Sequence, residues 1–199
     1  MRYPKLRELK EAVRALIKGP YTSRFPYIPH KPFERFRGRP EYHQDDCMGC
    51  GACYQVCPAK AIEMKDEAAK RTFIVRWDLC IFCGNCEANC PTEKGIILSN
   101  EFDLATTGNR QELKQEIEKN LLLCECCKEP IAAKDQILWV ARRLGPLIFS
   151  NASLMLFYLR NLDLALRDQP SSSQEEELMR SDRIKVLCPR CRREAVIKS

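Results

Sequence analysis

Two segments of this sequence decide its fold: CMGCGACYQVCP at residues 47–58 and CIFCGNCEANCP at residues 80–91. Both follow the pattern C-x-x-C-x-x-C-x-x-x-C-P, and corresponding cysteines lie 33 residues apart. In such a run the first three thiolates bind one 4Fe-4S cluster, while the fourth thiolate binds the neighbouring cluster. The repeat therefore predicts two 4Fe-4S clusters that share one small ferredoxin-like fold.

The crossing fourth ligand assigns each cysteine to a cluster. One cluster takes Cys47, Cys50, Cys53 and Cys90, and the other takes Cys80, Cys83, Cys86 and Cys57. Gly51 and Gly84 have the same place in the two copies, where the missing Cβ lets backbone N–H groups approach the cluster sulfurs. A coincidence of spacing, or a pure zinc site, explains the duplicated run poorly.

Five further cysteines lie near the C-terminus, in two C-x-x-C pairs with one residue left over. The pairs are Cys124 with Cys127 and Cys188 with Cys191, and Cys126 is spare. Two such pairs brought together form a tetrahedral thiolate site for one zinc or, less often, one iron. Reduced, metal-free thiols are the main alternative, and a third iron-sulfur cluster lacks the four-cysteine run.

The composition favours metal sites over disulfides. The chain has 199 residues, enough for one ordinary domain or two small ones, and its thirteen cysteines are far above the usual content. The first ten residues, MRYPKLRELK, contain no apolar signal region. We therefore expect reduced, metal-binding cysteines in a cytosolic setting.

The formal net charge of +6 is concentrated in residues 1–46, which hold eleven Lys/Arg and six Asp/Glu. Each cluster with its four thiolates carries roughly −2, as does a four-thiolate zinc site, so the metal-loaded protein is close to neutral. The sequence has no basic recognition helix. Nucleic acid is therefore not an expected partner.

The N-terminal segment predicts an amphipathic helix over residues 4–18, followed by an extended arm. The helix stripe contains Leu6, Leu9, Val13, Leu16 and Ile17, is bordered by Lys10 and Arg14, and stops at Gly19-Pro20. The helix either packs on its own domain or lies as a cationic helix on a membrane surface or membrane subunit. Residues 21–46 contain four prolines and indicate an arm along a partner or a solvated linker.

The rest of the pattern predicts an α+β fold. A hairpin over 61–64 and 72–77 and a strand over 95–98 belong to the cluster module. Helices are predicted from the spacing of Leu113, Ile117 and Leu121, over residues 137–144, and over residues 150–166. The last of these is too short and too polar to span a bilayer. A flexible loop is predicted over residues 168–183. The expected domains are helix and arm at 1–46, a bacterial two-4Fe-4S ferredoxin-like domain at 47–106, and a helical C-terminal extension with the four-cysteine knuckle at 107–199.

Residues 1–106 resemble the two-cluster iron-sulfur subunit of complex I, called subunit I, and its counterparts in energy-converting, membrane-bound nickel-iron hydrogenases and formate hydrogenlyase. The resemblance rests on the helix, the arm ending ERFRGR at 34–39, both cysteine runs, and EFDLA at 101–105. The C-terminal part departs from complex I members. With its C-x-x-C followed by Pro130 and its later C-P-x-C, it is more similar to the hydrogenase and formate hydrogenlyase branch.

The resemblance implies an electron-transfer subunit in the peripheral arm of a membrane-bound complex, on the cytoplasmic face of the cell membrane. Implied partners are a cluster-bearing subunit and a nickel-iron or quinone-module-like large subunit. The sequence shows no phosphate-binding glycine loop, no nucleophile beside a base and no flavin or nicotinamide motif, so we expect no active site in this chain. A complex I-type quinone-reducing or sulfur-reducing complex is one alternative, and a free soluble ferredoxin is another.

Overall fold

The computed structural model of the chain describes residues 5–19, 22–165 and 184–197. They belong to two units, Met1–Phe36 and Arg37–Ser199. The loop predicted at 168–183 lies outside the described residues.

The first unit contains helix α1, Leu6–Lys18. The Glu8 carboxylate accepts a hydrogen bond from the Lys5 backbone N–H at 3.2 Å, which satisfies a free donor at the helix start. Gly19, with φ of 77°, ends the helix and donates its N–H to the Ala15 carbonyl. The predicted helix is confirmed, and all five side chains of its apolar stripe are exposed. Residues 22–36 contain two short turns in otherwise irregular backbone and no helix or strand.

The second unit begins with the cluster module, whose elements are β1 (Pro40–Tyr42), α2 (Ala52–Gln55), β2 (Ile62–Glu67), β3 (Lys70–Arg76), α3 (Asn85–Ala88) and β4 (Ile96–Leu98). Strands β2 and β3 form the predicted hairpin, and β4 is the predicted third strand. Strand β1 pairs antiparallel with β4, with Glu41 opposite Ile97. The segment predicted to be an extended arm therefore supplies, near its end, one strand of the cluster module.

The helix predicted from Leu113, Ile117 and Leu121 is wrong, because this stretch forms strand β5, Lys114–Leu123. Its inward residues are Ile117, Lys119 and Leu121, which alternate with exposed neighbours as a half-buried strand requires. Two apolar residues four apart fit both a helix face and every second inward position of a strand. Because the inward position between them is the charged residue Lys119, the sequence does not show the alternation of apolar and polar residues that is typical of a strand.

Strand β5 extends the hairpin into a four-stranded antiparallel sheet with the order β2-β3-β5-β6, where β6 is Pro130–Ala133. Ile117 lies opposite Phe73, and both belong to the core that also holds Cys53 and Cys86. The sheet thus begins in the cluster module and continues into the predicted extension. The pairing of β1 with β4 joins residues on either side of the expected boundary at 46/47, and the pairing of β3 with β5 joins residues on either side of the boundary at 106/107.

Helices follow the sheet. Helix α4, Lys134–Leu144, ends at Gly145 as predicted, and a short 3₁₀ helix, Gly145–Ser150, leads to α5, Ala152–Asn161. Helix α6, Pro189–Ile197, lies near the end of the chain. The predicted helical extension is therefore a mixed strand and helix structure. No helix within the described ranges is long and apolar enough to cross a membrane.

Candidate iron-sulfur and metal centres

The first cavity lies beneath the first cysteine run. It is lined by Cys47, Cys50, Cys53 and Cys90, together with Tyr42 and Phe73. Cys90 comes from the second run. The cavity therefore brings together the four cysteines assigned to one cluster by the sequence.

The second cavity lies beneath the second run. Its cysteines are Cys80, Cys83, Cys86 and Cys57, of which the last comes from the first run, and its wall includes Val75. The two cavities share one apolar core that contains Cys53 and Cys86. The grouping equals the second predicted ligand set, and which sulfurs bind iron stays a prediction.

Matching turns shape the two loops. Gly51 and Gly84 have φ of 80° and 82° and precede helices α2 and α3. A Cβ at Gly51 would lie 2.9 Å from the Met64 sulfur, and one at Gly84 would lie 3.2 Å from a Leu98 methyl carbon. The left-handed backbone favours glycine at both positions, and a Cβ there would also crowd the Met64 and Leu98 side chains.

Burial sets the protonation of several cluster cysteines in the absence of metal. It raises the pKa of Cys47 and Cys80, that of Cys53 to about 11, and that of Cys86 to about 12. Burial also acts on Cys90, but hydrogen bonds from Thr92, Gly95 and Ile96 outweigh it and lower the pKa of that thiol. Most of these thiols are therefore neutral until a metal displaces their protons.

The donor set fits a 4Fe-4S cluster in each cavity. Each cavity offers four cysteine sulfurs inside an apolar wall, and backbone N–H groups point at the sulfurs. Ala61 N–H donates to the Cys57 sulfur at 3.3 Å, and Phe82 N–H donates to the Cys80 sulfur at 3.4 Å. A cluster bound here would supply one-electron transfer, and the chain tunes it by burial and by hydrogen bonds to sulfur.

Side chains that the motif analysis missed also reach the sulfurs. The Tyr42 hydroxyl lies 3.4 Å from the Cys53 sulfur, and the Thr92 hydroxyl lies 3.3 Å from the Cys90 sulfur. The Gln115 side-chain amide bonds both backbone groups of Tyr42. Its oxygen accepts the Tyr42 N–H at 2.7 Å, and its nitrogen donates to the Tyr42 carbonyl at 3.0 Å. The 33-residue repeat could have singled them out, because Val75 corresponds to Tyr42 and Ala59 corresponds to Thr92, and neither Val75 nor Ala59 has a hydroxyl.

Cationic side chains hold the first loop against the sheet. The Lys119 side chain is 6% exposed, and its ammonium donates to the Gln44 carbonyl and, at 3.0 Å, to an Asp135 carboxylate oxygen. Arg71 donates to the Gly49 carbonyl at 3.1 Å and pairs with Asp66. The sheet residues beyond the cysteine run therefore help to fix the first cluster loop.

The four cysteines of the predicted knuckle come together at one point. The sulfurs of Cys124, Cys127, Cys188 and Cys191 all lie within 4.8 Å of one another. The Cys127 and Cys188 sulfurs are 3.7 Å apart. A tetrahedron with metal–sulfur bonds of about 2.3 Å has sulfur–sulfur edges of about 3.8 Å, so the spacing fits a single ion.

Backbone donors prepare this group for a cation. The Cys188 N–H donates to the Cys124 sulfur at 3.3 Å, and the Cys191 N–H donates to the Cys188 sulfur at 3.5 Å. Burial opposes ionisation of Cys124, but N–H groups of Cys188, Cys127 and Cys126 lower the pKa of its thiol to about 7. Burial raises the pKa of Cys191. Cys126 is exposed and lies outside the four-sulfur group.

Comparisons with known proteins agree with this geometry. A family model described as a 4Fe-4S dicluster domain matches residues 33–94. Formate hydrogenlyase subunit 6 from Escherichia coli is 35% identical over 129 residues, covering 63% of this chain and 70% of the relative. NAD(P)H-quinone oxidoreductase subunit I from Gloeobacter violaceus is 34% identical over 106 residues, covering 50% of each chain. The chain belongs to this family of two-cluster iron-sulfur subunits.

Within this family of two-cluster subunits, the matched length differs among relatives. The chain spans half of the Gloeobacter protein and a larger share of the Escherichia coli one. A chain in the structure of the membrane-bound sulfane sulfur reductase, an archaeal respiratory membrane complex, is 31% identical with a TM-score of 0.41. That match covers 57% of this chain and 62% of the other.

Proposed function

We propose that this chain relays electrons through two 4Fe-4S clusters in the peripheral arm of a membrane-bound complex related to complex I. The observation that carries the proposal is the pair of four-cysteine cavities that share one apolar core and exchange Cys57 and Cys90. One cluster is held by Cys47, Cys50, Cys53 and Cys90, and the other by Cys80, Cys83, Cys86 and Cys57. A shared core keeps the two clusters at a fixed separation, as a relay needs.

The complex that we propose is an energy-converting nickel-iron hydrogenase. Support comes from formate hydrogenlyase subunit 6, whose alignment covers more of this chain than that of the quinone oxidoreductase subunit. The partners would be a cluster-bearing subunit and a nickel-iron large subunit. A complex I-type quinone-reducing or sulfur-reducing complex is the runner-up.

Helix α1 would attach the chain to the cytoplasmic membrane surface. Its exposed stripe, with Leu6 and Leu16 about 85% exposed, has lysine and arginine side chains beside it, as an interfacial helix requires. Deleting residues 1–18 should release the subunit from membranes and leave both clusters intact. Release from vesicles of anionic lipid would support a lipid contact, whereas loss of subunit contacts alone would indicate a protein surface. Undiminished membrane association would count against docking by α1.

The four-cysteine group would hold one structural zinc or a single iron. Its tetrahedral spacing and its N–H donors support a single ion. Because the ligands come from the end of β5 and the start of α6, the ion would fasten the C-terminal segment to the sheet. This role is structural and adds no step to the relay.

Native purification under anaerobic conditions tests the function. We expect about eight irons in the two clusters and electron paramagnetic resonance signals from two interacting reduced clusters. A co-purifying large subunit with nickel would identify the hydrogenase, and quinone-module subunits would identify the runner-up. About four irons would refute the two-cluster assignment, and a monomer without other subunits would favour a free ferredoxin.

A further inference from the structure

The two cluster cavities are related by the 33-residue repeat, yet their sulfurs have different side-chain donors. The backbone donors to the first and third cysteines match between the copies: Gly49 to Cys47 with Phe82 to Cys80, and Tyr54 to Cys53 with Glu87 to Cys86. The fourth ligands differ: the Cys57 sulfur accepts the Ala61 N–H, whereas the Cys90 sulfur accepts N–H groups of Thr92, Gly95 and Ile96. Two side-chain hydroxyls add to this difference.

Tyr42 provides the first difference. It is 5% exposed, and its hydroxyl lies 3.4 Å from the Cys53 sulfur. An iron-bound thiolate carries no proton, so the tyrosine must be the donor in the loaded protein. The corresponding residue of the second cavity is Val75, which has no donor.

Thr92 provides the second difference. Its hydroxyl oxygen accepts the Gly95 N–H at 3.0 Å and lies 3.3 Å from the Cys90 sulfur. Because the oxygen already accepts this bond, the hydroxyl hydrogen is free to point at the sulfur. Ala59 stands at the corresponding place after Cys57 and has no hydroxyl. Both hydroxyl donors thus serve the cluster of the first cavity.

Positive charge is more evenly divided between the two loops. Arg71 donates to the Gly49 carbonyl and Arg37 donates to the Cys83 carbonyl, each at 3.1 Å. Lys119 adds a further cation beside the first loop, but Asp135 pairs with it at 3.0 Å. The hydroxyl donors, together with the backbone donors at Cys90, therefore distinguish the first site from the second.

We propose that the Tyr42 and Thr92 hydroxyls hold the cluster of Cys47, Cys50, Cys53 and Cys90 at a higher reduction potential than its neighbour. A reduced cluster carries one more negative charge than an oxidised one, so a hydrogen bond to its sulfur stabilises the reduced form. With this difference in potential, one electron would move from the cluster of the second cavity, which is oxidised, to the cluster of the first, which is reduced. Both hydroxyls keep their protons during this step.

This inference rests on the proposed relay and assigns it an order: the second cavity receives the electron first, and the first cavity holds it. The test is a redox titration of the full chain with both clusters, followed by electron paramagnetic resonance. Tyr42→Phe keeps the ring and removes only the hydroxyl. We expect the higher of the two midpoints to fall by about tenfold in equilibrium constant, which is about 59 mV for one electron. The lower midpoint should stay unchanged.

Two comparisons keep the test specific. Tyr54→Phe removes an exposed tyrosine hydroxyl beside the same cysteine and should shift neither midpoint. Thr92→Val should lower the same midpoint as Tyr42→Phe. Thr92→Ser keeps the hydroxyl, so its midpoint should equal that of the unmodified protein. If Tyr42→Phe fails to load clusters, the Thr92 pair alone decides the question.

Unchanged midpoints in both hydroxyl variants, or equal shifts of both midpoints, would overturn the inference while leaving the relay in place. Fewer than about eight irons in the unmodified protein would instead overturn the relay itself. Iron content measured before each titration separates the two failures.

Discussion

Removing two ligands of the C-terminal knuckle tests whether it holds a metal. The double variant Cys188→Ser, Cys191→Ser keeps two ligands on one side of the site and removes the two that begin α6. We expect the variant to lose one equivalent of zinc or iron and to retain the iron of both clusters. The clusters are expected to survive because none of the four knuckle cysteines lines either cluster cavity.

The size of the stability loss follows from the separation of the ligands along the chain. Cys127 and Cys188 are 61 residues apart. A cross-link that closes a loop of this length restricts the unfolded chain by about 4 kcal/mol at 25 °C. In a chain of this size each kcal/mol shifts the melting temperature by roughly 2–4 °C, so the expected decrease is roughly 8–16 °C.

Contacts other than the metal should keep the variant folded. Val186 N–H donates to the Glu125 carboxylate at 2.9 Å, and the Ser153 hydroxyl bonds the backbone of Lys185 and Leu187, each at 3.0 Å. These bonds still position the C-terminal segment without the ion. The loss should therefore appear as lower stability and absent metal, with the fold retained.

Metal content by mass spectrometry and melting by circular dichroism provide the measurements. The control is Cys126→Ser, which removes an exposed thiol of the same loop that lies outside the four-sulfur group. It should keep both the metal and the melting temperature. Retention of the extra metal in the double variant, or its equal loss in the control, would refute a four-cysteine site.

Two further substitutions test how the sheet and the last loop of the cluster module shape the first cavity. Gly95→Ala would place a Cβ 3.1 Å from the Cys90 sulfur, so iron should fall from about eight to about four; Gly108→Ala, whose nearest atom is 3.5 Å away, should keep full iron content. Gln115→Leu removes both partners of the buried Tyr42 backbone and should lower the free energy of unfolding by about 2–4 kcal/mol, measured by denaturant titration. A loss below about 0.5 kcal/mol would mean that other groups satisfy Tyr42.

The clusters were predictable from the sequence because their ligands are mostly local. Three of four thiolates in each set lie within seven residues, and the repeat itself implies the crossing of Cys57 and Cys90. Helix α1 was also predictable from the sequence, because its apolar residues recur at the spacing of one helix face without interruption. The end of α4 at Gly145 was predicted for the same local reason.

Strand β5 was not predictable in this way. Ile117 and Leu121 are four residues apart, a spacing that both a helix and a strand allow, and the inward position between them is taken by Lys119. Contacts with distant residues favour the strand. Ile117 lies opposite Phe73 in the neighbouring strand, and the buried Lys119 ammonium donates to the Gln44 carbonyl and pairs with Asp135. Such partners are distant in the chain and leave no local period.

By itself, then, the sequence predicted which cysteines would hold the two clusters, offered a second set of four for one ion, and showed that an amphipathic helix precedes the cluster runs. The tertiary structure decided that the two distant C-x-x-C pairs meet, that the extension joins the cluster sheet, and that Tyr42 and Thr92 reach sulfurs of the first cavity only. Ligand spacing within a short run is set by the local backbone, whereas these contacts depend on which strands pair and on what the buried polar groups need as partners.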